Sequence, residues 1–451
     1  FMKHLFVLLL SLFSFGGLCA QDFSGVWSGK IDVGGNKLIL FYKITKLQNG
    51  EYECALRVPQ QGGAIIPVEV SVTDKDRITL SSKSINAVFE GRLVADTLKG
   101  KFNQIGYSFD LVMTKEAVVF KRTQEIKEPF PYKTEEVSFT NTKDDVVLSG
   151  TISYPLSVAK KKKRSVAMVM VTGSGGQNRD EECFAHKPFA VIADYMARKG
   201  IGTLRYDDRG VAKSGGDASL VTITSNMEDA LSAVKHLRTK FDKVGVIGHS
   251  EGGIIAFMLA SRRKVDFAVS LAGAGLSGYD IVLEQFLYYI DRMQLTNRSE
   301  YEEFLNEVVS YCKDYKGADK SCVGYANQLL KERGKEQNCM LLPEMVKVLD
   351  ADNAWLKSFL SFSPQKDISK AKCPVFAVNG ELDTQVKAST NLEAIRKLLP
   401  KKKRNQVKLY PKMNHFFQVC TTGNVSEYMT IEETISYTVL EDIAQWINSL
   451  F

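Results

Sequence analysis

The run Gly248-His249-Ser250-Glu251-Gly252-Gly253 constrains this chain more than any other stretch. It follows a short apolar segment, Val244 to Ile247, and opens a helical one, Ile254 to Ser261. A serine at so sharp a strand-to-helix turn takes up strained backbone, and only glycine two positions to either side leaves room for the chain to fold back. The turn exposes the hydroxyl at a helix N-terminus and aims the next backbone N–H at a developing oxyanion. As a bare pattern Gly-x-Ser-x-Gly is common. Between a strand and a helix it points to Ser250 as a nucleophile.

The surrounding grammar supplies the strand and the helix. Val166 to Thr172, Gly202 to Asp207, Val244 to Ile247, Phe267 to Ala272 and Val375 to Asn379 are short β-branched runs bounded by turns. Helical segments separate most of them, including Phe189 to Lys199 and Asn226 to Phe241, and Glu135 to Ser153 reads as a preceding hairpin. This order predicts a mostly parallel sheet with helices on both faces, its strand C-termini and any active site along one edge. From Gly278 to about Ser363 strand signals are absent. Leu283, Phe286, Leu287 and Ile290 form an apolar stripe, and Ser299 with Glu302 makes a capping box before Phe304, Leu305, Val308 and Val309. The insertion is either a helical cap over the sheet edge or a plain extension of the core. Its position between two sheet strands favours the cap.

The first part of the chain follows other rules. In residues 1–20, Lys3 and His4 precede an apolar run from Leu5 to Leu18, with Ala20 as a small residue before a cleavage point. This is the pattern of a signal peptide, too short for a confident membrane anchor. Leu18 stands where a lipoprotein signal at Cys19 would want a small residue, so cleavage after Ala20 is expected. The mature chain is then secreted or periplasmic, with no membrane span. Residues 21–123 alternate with period two: Leu38, Leu40, Tyr42 and Ile44 share one face, as do Val68, Val70 and Val72. They predict a small antiparallel barrel or sandwich. Gly25-Val26-Trp27 resembles the Gly-x-Trp of lipocalin-like barrels. The segment is either a ligand carrier or an appendage that covers or positions the rest; it offers no convergent set of polar residues, which favours the appendage. A linker, Lys127 to Tyr132, leads to a catalytic region spanning 124–451.

Composition excludes several classes. The net charge of +7 sits largely in two runs, Lys160 to Arg164 and Lys401 to Arg404. Neither has interleaved aromatics or a recognition helix beside it, so solvated loops are expected and no nucleic-acid partner. Loss of Cys19 with the leader leaves seven of the eight cysteines, so at least one is unpaired or pairs between chains. Cys312, Cys322 and Cys339 are close enough in one helical stretch for a disulfide. Without a CxxC pair or CxxxH spacing, no metal site is expected, and no cofactor is required.

A nucleophile needs a base, and the base an orienting carboxylate. The fold demands the order serine, acid, histidine. Of His186, His236, His249 and His415, only His415 follows the nucleophile, in a loop after the strand Val407 to Tyr410. His236 falls inside a helix, His249 is expected to point away from the elbow, and His186 is a candidate substrate contact. Asp383 follows Val375 to Asn379 just past a strand end and is preferred to Glu381 as the acid. The glycine-rich Val171-Thr172-Gly173-Ser174-Gly175-Gly176 lacks the lysine of a phosphate loop. It reads as one side of an oxyanion hole, with an N–H from Ser174 or Gly175 and the other from Glu251.

Together these motifs resemble a bacterial α/β-hydrolase family related to the serine-aminopeptidase-like hydrolases. The runs that carry the resemblance are Gly173 to Glu181, Arg205-Tyr206-Asp207-Asp208-Arg209-Gly210, Gly248 to Gly253, Gly380-Glu381-Leu382-Asp383 and Asn414-His415-Phe416-Phe417-Gln418. The likeness covers about Glu135 to Phe451, including Ile431-Glu432-Glu433-Thr434, and departs at Gly176, where many relatives carry proline. It implies an α/β-hydrolase fold, a carboxylesterase acting on a small-molecule, short-acyl ester, and a structural role for Asp208 and Arg209 in tying loops together. Tyr288, Tyr289, Trp355 and Phe359 are candidates for the acyl-pocket lining. Three other readings stand beside it. A short-peptide hydrolase could use the same triad, with Glu284 or Glu303 anchoring the free amino terminus. A binding protein could act through its β domain. Or the β domain could capture a polymer or lipid whose esters the catalytic region removes.

Overall fold

The computed structural model describes residues 22–451 apart from 34–35, 59–65, 105, 116–120, 157–164, 293–297, 316–319, 334–348 and 350–353. The expected leader, the basic run Lys160 to Arg164 and Cys339 lie outside the described residues. The chain divides into two units, Phe1–Val119 and Phe120–Phe451.

The first unit is a closed antiparallel barrel of eight strands, β1 (Gly25–Val33) through β8 (Tyr107–Thr114). Each strand pairs with the next, and β1 closes on β8 through Ser28 opposite Thr114. Alternation drives the fold: Leu40, Tyr42 and Ile44 on β2 (Asn36–Lys46) are buried with Trp27, Phe89 and Leu111. The Trp27 indole N–H donates to the Phe23 carbonyl at 2.7 Å, so the largest interior side chain is also satisfied. Large side chains therefore occupy much of the interior. The expected stripe on β4 (Ile66–Asp74) fails at one end. Val68 is buried but Val72 is exposed, and just beyond it the register with the next strand shifts between Val72 and Asp74.

The second unit is an eight-stranded sheet in the order β16-β15-β14-β13-β11-β12-β10-β9. The strands β9 (Thr134–Asn141) and β10 (Val146–Ser153) form the expected hairpin at one edge, with β10 alone antiparallel to the sheet strand beside it. The strands β11 (Val166–Val171), β12 (Gly202–Tyr206), β13 (Lys243–His249), β14 (Ala268–Leu271), β15 (Val375–Gly380) and β16 (Gln406–Tyr410) run parallel. Both faces are covered, which is why these strands read as continuous apolar runs. Ala167, Val169 and Val171 enter one core while Val166, Met168 and Met170 enter the other.

Helices α1 (Pro188–Arg198), α2 (Ile223–Leu237) and α3 (Glu251–Ser261) follow β11, β12 and β13. The apolar run Ile254 to Ala260 of α3 is buried all round. Helices α4 (Gly278–Arg292), α5 (Arg298–Asp314), α6 (Cys322–Glu332) and α7 (Ala354–Leu360) intervene between β14 and β15, where the insertion was expected. Cys312 on α5 and Cys322 on α6 are both buried there. The helices α8 (Ala388–Leu398) and α9 (Tyr437–Leu450) complete the layers. Among the described residues no helix is long and apolar enough to cross a membrane.

Candidate active site

Strand β13 runs into Ser250, whose φ of 53° and ψ of −113° place a non-glycine residue in strained backbone. Its N–H donates to the Leu271 carbonyl at 2.8 Å, and its carbonyl accepts from Gly253 at 2.9 Å. Close packing explains the flanking glycines. A Cβ at Gly248 would lie 1.9 Å from the Gly252 carbonyl oxygen, and one at Gly252 2.1 Å from that of Val171. Glu251 begins α3, so its N–H has no acceptor within the helix and is available beside the serine hydroxyl.

The loop after β16 carries His415, and the turn after β15 carries Asp383. His415 Nδ1 lies 2.7 Å from Asp383 Oδ2, and both side chains are almost wholly buried. Asp383 Oδ1 accepts from the N–H groups of Gln385 and Val386, each at 2.8 Å. With both carboxylate oxygens engaged as acceptors, the imidazole proton belongs on Nδ1, which leaves the Nε2 lone pair free to take a proton. Glu381, the rival acid, turns elsewhere and accepts from the Lys412 N–H at 2.9 Å. Asn414 shapes the histidine loop, its side-chain oxygen Oδ1 accepting from the N–H groups of Phe416 and Gln418 at 3.0 Å each.

The glycine-rich loop after β11 comes up against the elbow: a Cβ on Gly173 would lie 3.3 Å from Ser250 Cβ. Gly173 N–H donates to Glu181 Oε1 at 2.8 Å, while Ser174 lines the same cavity as Ser250 and Glu251. Asp208 holds the loop, accepting from Thr172 Oγ1 at 2.8 Å and from Gln177 N–H at 2.9 Å. Its burial pushes the carboxyl well above the usual carboxylate range. Arg209 pairs with Asp229 and Asp144 at 2.7 Å each. Both residues therefore tie loops together.

The cavity beside Ser250 has a volume of about 130 Å³ and is walled by Ile281, Val282 and Phe286 of α4, Trp355 and Phe359 of α7, and Val386. Helices α4 and α7 of the insertion thus wall the site, while buried side chains of α5 and α6 join the apolar core on that face of the sheet. Glu251 also reaches this cavity, its carboxylate accepting from Asn226 Nδ2 at 3.0 Å and Trp355 Nε1 at 2.5 Å. Burial raises its pKa against those two donors.

Three residues expected to meet the substrate do not line this cavity. His186 is buried against Thr434 Oγ1 and the Tyr428 carbonyl at 2.9 Å each, and lines a different cavity with Arg122 and Arg205. Burial, helped by Arg122, lowers its pKa to about 4, so it is a neutral packing group. The Tyr288 hydroxyl is bonded to Asn424, and Tyr289 is 50% exposed, because both fall off the buried stripe of α4. Of the two carboxylates considered for binding an amino terminus, Glu284 bonds Asn391 Nδ2 at 3.1 Å and Glu303 is exposed. Gln285 and Gln385, which do line the cavity, carried no sequence signal beyond helical phase and proximity to Asp383. Among the described residues no group of three or more His, Cys, Asp or Glu is placed to hold a metal ion.

Residues 131–412 match the X-Pro dipeptidyl-peptidase (S15) family; the match lies within the second unit and ends before His415. Esterase EstD of Thermotoga maritima is 31% identical over 212 residues, which is 46% of this chain and 50% of that protein. The chain thus spans about half the length of the curated relative it matches. Among solved structures, an esterase of Pyrococcus furiosus aligns with 73% of this chain and 99% of its own, at 15% identity and a TM-score of 0.42. A proline iminopeptidase of Mycobacterium smegmatis aligns with 70% of this chain and 98% of its own, at 13% identity and a TM-score of 0.43. The sheet order and the family match together make the second unit an α/β-hydrolase fold preceded by a closed β-barrel.

Proposed function

The chain belongs to the X-Pro dipeptidyl-peptidase (S15) family, and within it we propose that this protein is a serine carboxylesterase cleaving short-acyl esters through an acyl-enzyme on Ser250. His415 Nε2 takes the Ser250 proton as Oγ attacks the ester carbonyl carbon. The oxyanion rests on the Glu251 N–H and on that of Ser174 or Gly175, each such donor lowering the barrier by about 3 kcal/mol. The imidazolium, stabilised by Asp383, protonates the leaving alcohol; water then attacks the acyl-enzyme by the same route and frees Ser250.

The observation that carries the reading is the cavity beside Ser250, small and walled by apolar cap side chains. At about 130 Å³ it is close to cavities that enclose one benzene-sized group, of about 150 Å³. Likeness to an esterase supports an ester over an amide. The family's peptidase name keeps a second reading in view. A peptidase of this kind would need a carboxylate to hold the substrate's amino group. Among the described lining residues the carboxylate is Glu251, which is already engaged by Asn226 and Trp355 and so favours the ester. The leader-like residues 1–20 support export, with a mature chain from Gln21 acting in the periplasm or outside the cell.

Initial rates on a chromogenic ester series from acetyl to dodecanoyl, with aminoacyl and X-Pro amides alongside and Ser250→Ala as control, test this. Acetyl and butyryl esters should be cleaved fastest, with turnover lost in the variant. Faster cleavage of the amides would replace the esterase reading with a peptidase.

A further inference from the structure

Behind the elbow lies a second histidine–carboxylate pair that the chemistry above does not use. His249, the residue before the nucleophile, is buried, with Nδ1 2.9 Å from Glu181 Oε1 and Nε2 3.1 Å from the His415 carbonyl oxygen. The same Glu181 oxygen accepts from Gly173 N–H at 2.8 Å. The rings of His249 and His415 are 4.6 Å apart. Glu181 itself is 2% exposed and sits at a φ of 52°, a strained conformation that turns its carboxylate inward.

Both ring nitrogens of His249 face acceptors. A carbonyl oxygen accepts only, so Nε2 must carry a proton. A carboxylate also accepts only, so a second proton must lie between Nδ1 and Glu181. A neutral imidazole beside an ionised Glu181 cannot satisfy this set, because one nitrogen lone pair would face an oxygen lone pair. We propose that Glu181 and His249 form a buried carboxylate–imidazolium pair that positions the oxyanion loop and the catalytic base together, fixing Gly173 at one end and the His415 backbone at the other.

His415 is then held twice, by Asp383 at its ring and by His249 at its carbonyl. The amides after Gly173 are set from the same carboxylate. The pair carries no net charge, and its other ionisable neighbours are Asp383 near His249 and Asp208 and Cys183 near Glu181. The imidazole's burial opposes its charge, but Glu181 outweighs that and raises the His249 pKa. Neither residue is among those that line the cavity beside Ser250; both are positioning residues for the esterase chemistry proposed above, and the inference rests on that reading.

Glu181→Gln isolates the charge. Its single amide oxygen can still accept from Gly173, but it no longer holds a second proton on His249. The neutral ring must then leave one nitrogen bare, and one of its two tethers breaks. We expect kcat on a short ester to fall by about 10- to 100-fold, as a small misplacement of reacting groups does, with KM within about twofold. Glu181→Asp, which keeps the charge, should recover most of the loss. Side-chain ¹⁵N spectra of histidine-labelled wild-type protein at neutral pH, assigned with His249→Gln, should show both His249 nitrogens protonated. A bare His249 nitrogen in the wild type would overturn the proposal, as would kcat within twofold of wild type in a folded Glu181→Gln protein. If the wild type shows no Ser250-dependent turnover, the esterase reading fails, and the nitrogen spectra still decide whether the ion pair exists.

Discussion

Replacing Asp383 by asparagine changes one atom and should remove the base without moving it. Asp383 Oδ1 is pinned by two backbone N–H groups, from Gln385 and Val386, both at 2.8 Å. Those donors require an oxygen, so the new amide can orient only one way, with its NH₂ at the Oδ2 position 2.7 Å from His415 Nδ1. An NH₂ there is a donor, and the imidazole must answer with a lone pair. The proton moves to Nε2, and the ring arrives at Ser250 in the wrong tautomer. Loss of the correct tautomer in such triads costs about 10⁴ in kcat, or about 5 kcal/mol at 1.36 kcal/mol per tenfold. The acyl pocket is untouched, so KM should stay within about threefold by the same logic of a transition-state-only interaction. Initial rates on an acetyl ester, with thermal melting to show an intact fold, read this directly. A loss below tenfold in a protein that melts normally would refute the assignment of Asp383 and the tautomer argument with it.

Other consequences are equally direct. Gly252→Ala places a methyl 2.1 Å from the Val171 carbonyl oxygen, which is backbone and cannot swing away; the variant should be destabilised by about 3 kcal/mol or more, seen in denaturant melts. Trp355→Phe removes the 2.5 Å donor to Glu251 and should cost about 1–3 kcal/mol at neutral pH. Burial raises the Glu251 pKa, so the folded state holds its proton to higher pH than the unfolded state. Stability is therefore lost as pH rises through the folded pKa, and the variant should steepen that fall in urea titrations across pH. Phe359→Ala opens the wall of the Ser250 cavity, so the best substrate should move to a longer acyl chain in the ester series, at about 3–5 kcal/mol in stability.

Much of the scaffold was legible because it rests on local rules. The glycines at 248 and 252 announce a close approach, and the structure supplies the two carbonyl oxygens that forbid a side chain there. The parallel strands announce themselves as apolar runs because both faces are buried. Asp383 and His415 followed from chain order and strand ends, and the fold brings their side chains together. Helix α2 begins three residues before its expected start at Asn226. Its cap is Thr222 answered by Ser225, not the Glu or Gln that marks a capping box in sequence. Long-range partners were not legible. Glu181 meets His249 across 68 positions, and no spacing rule joins a loop acid to the residue before a nucleophile. The cap was misjudged one side chain at a time. Tyr288 and Tyr289 lie beside the correct stripe, and only packing reveals that Phe286, Ile281 and Val282 face the serine while the tyrosines do not. His186 drew notice by its place before α1, yet its bonds to Thr434 and Tyr428 come from the far end of the chain.

The central claim is that Ser250 is the nucleophile and depends on His415 and Asp383 for its reactivity. Intact-mass spectrometry after brief exposure to a fluorophosphonate, followed by peptide mapping, tests it without assuming any substrate. A single adduct on the peptide holding Ser250, absent in Ser250→Ala and formed far more slowly in His415→Ala and Asp383→Asn, is the predicted result. An adduct on another residue, or none from a protein that still hydrolyses esters, would contradict it.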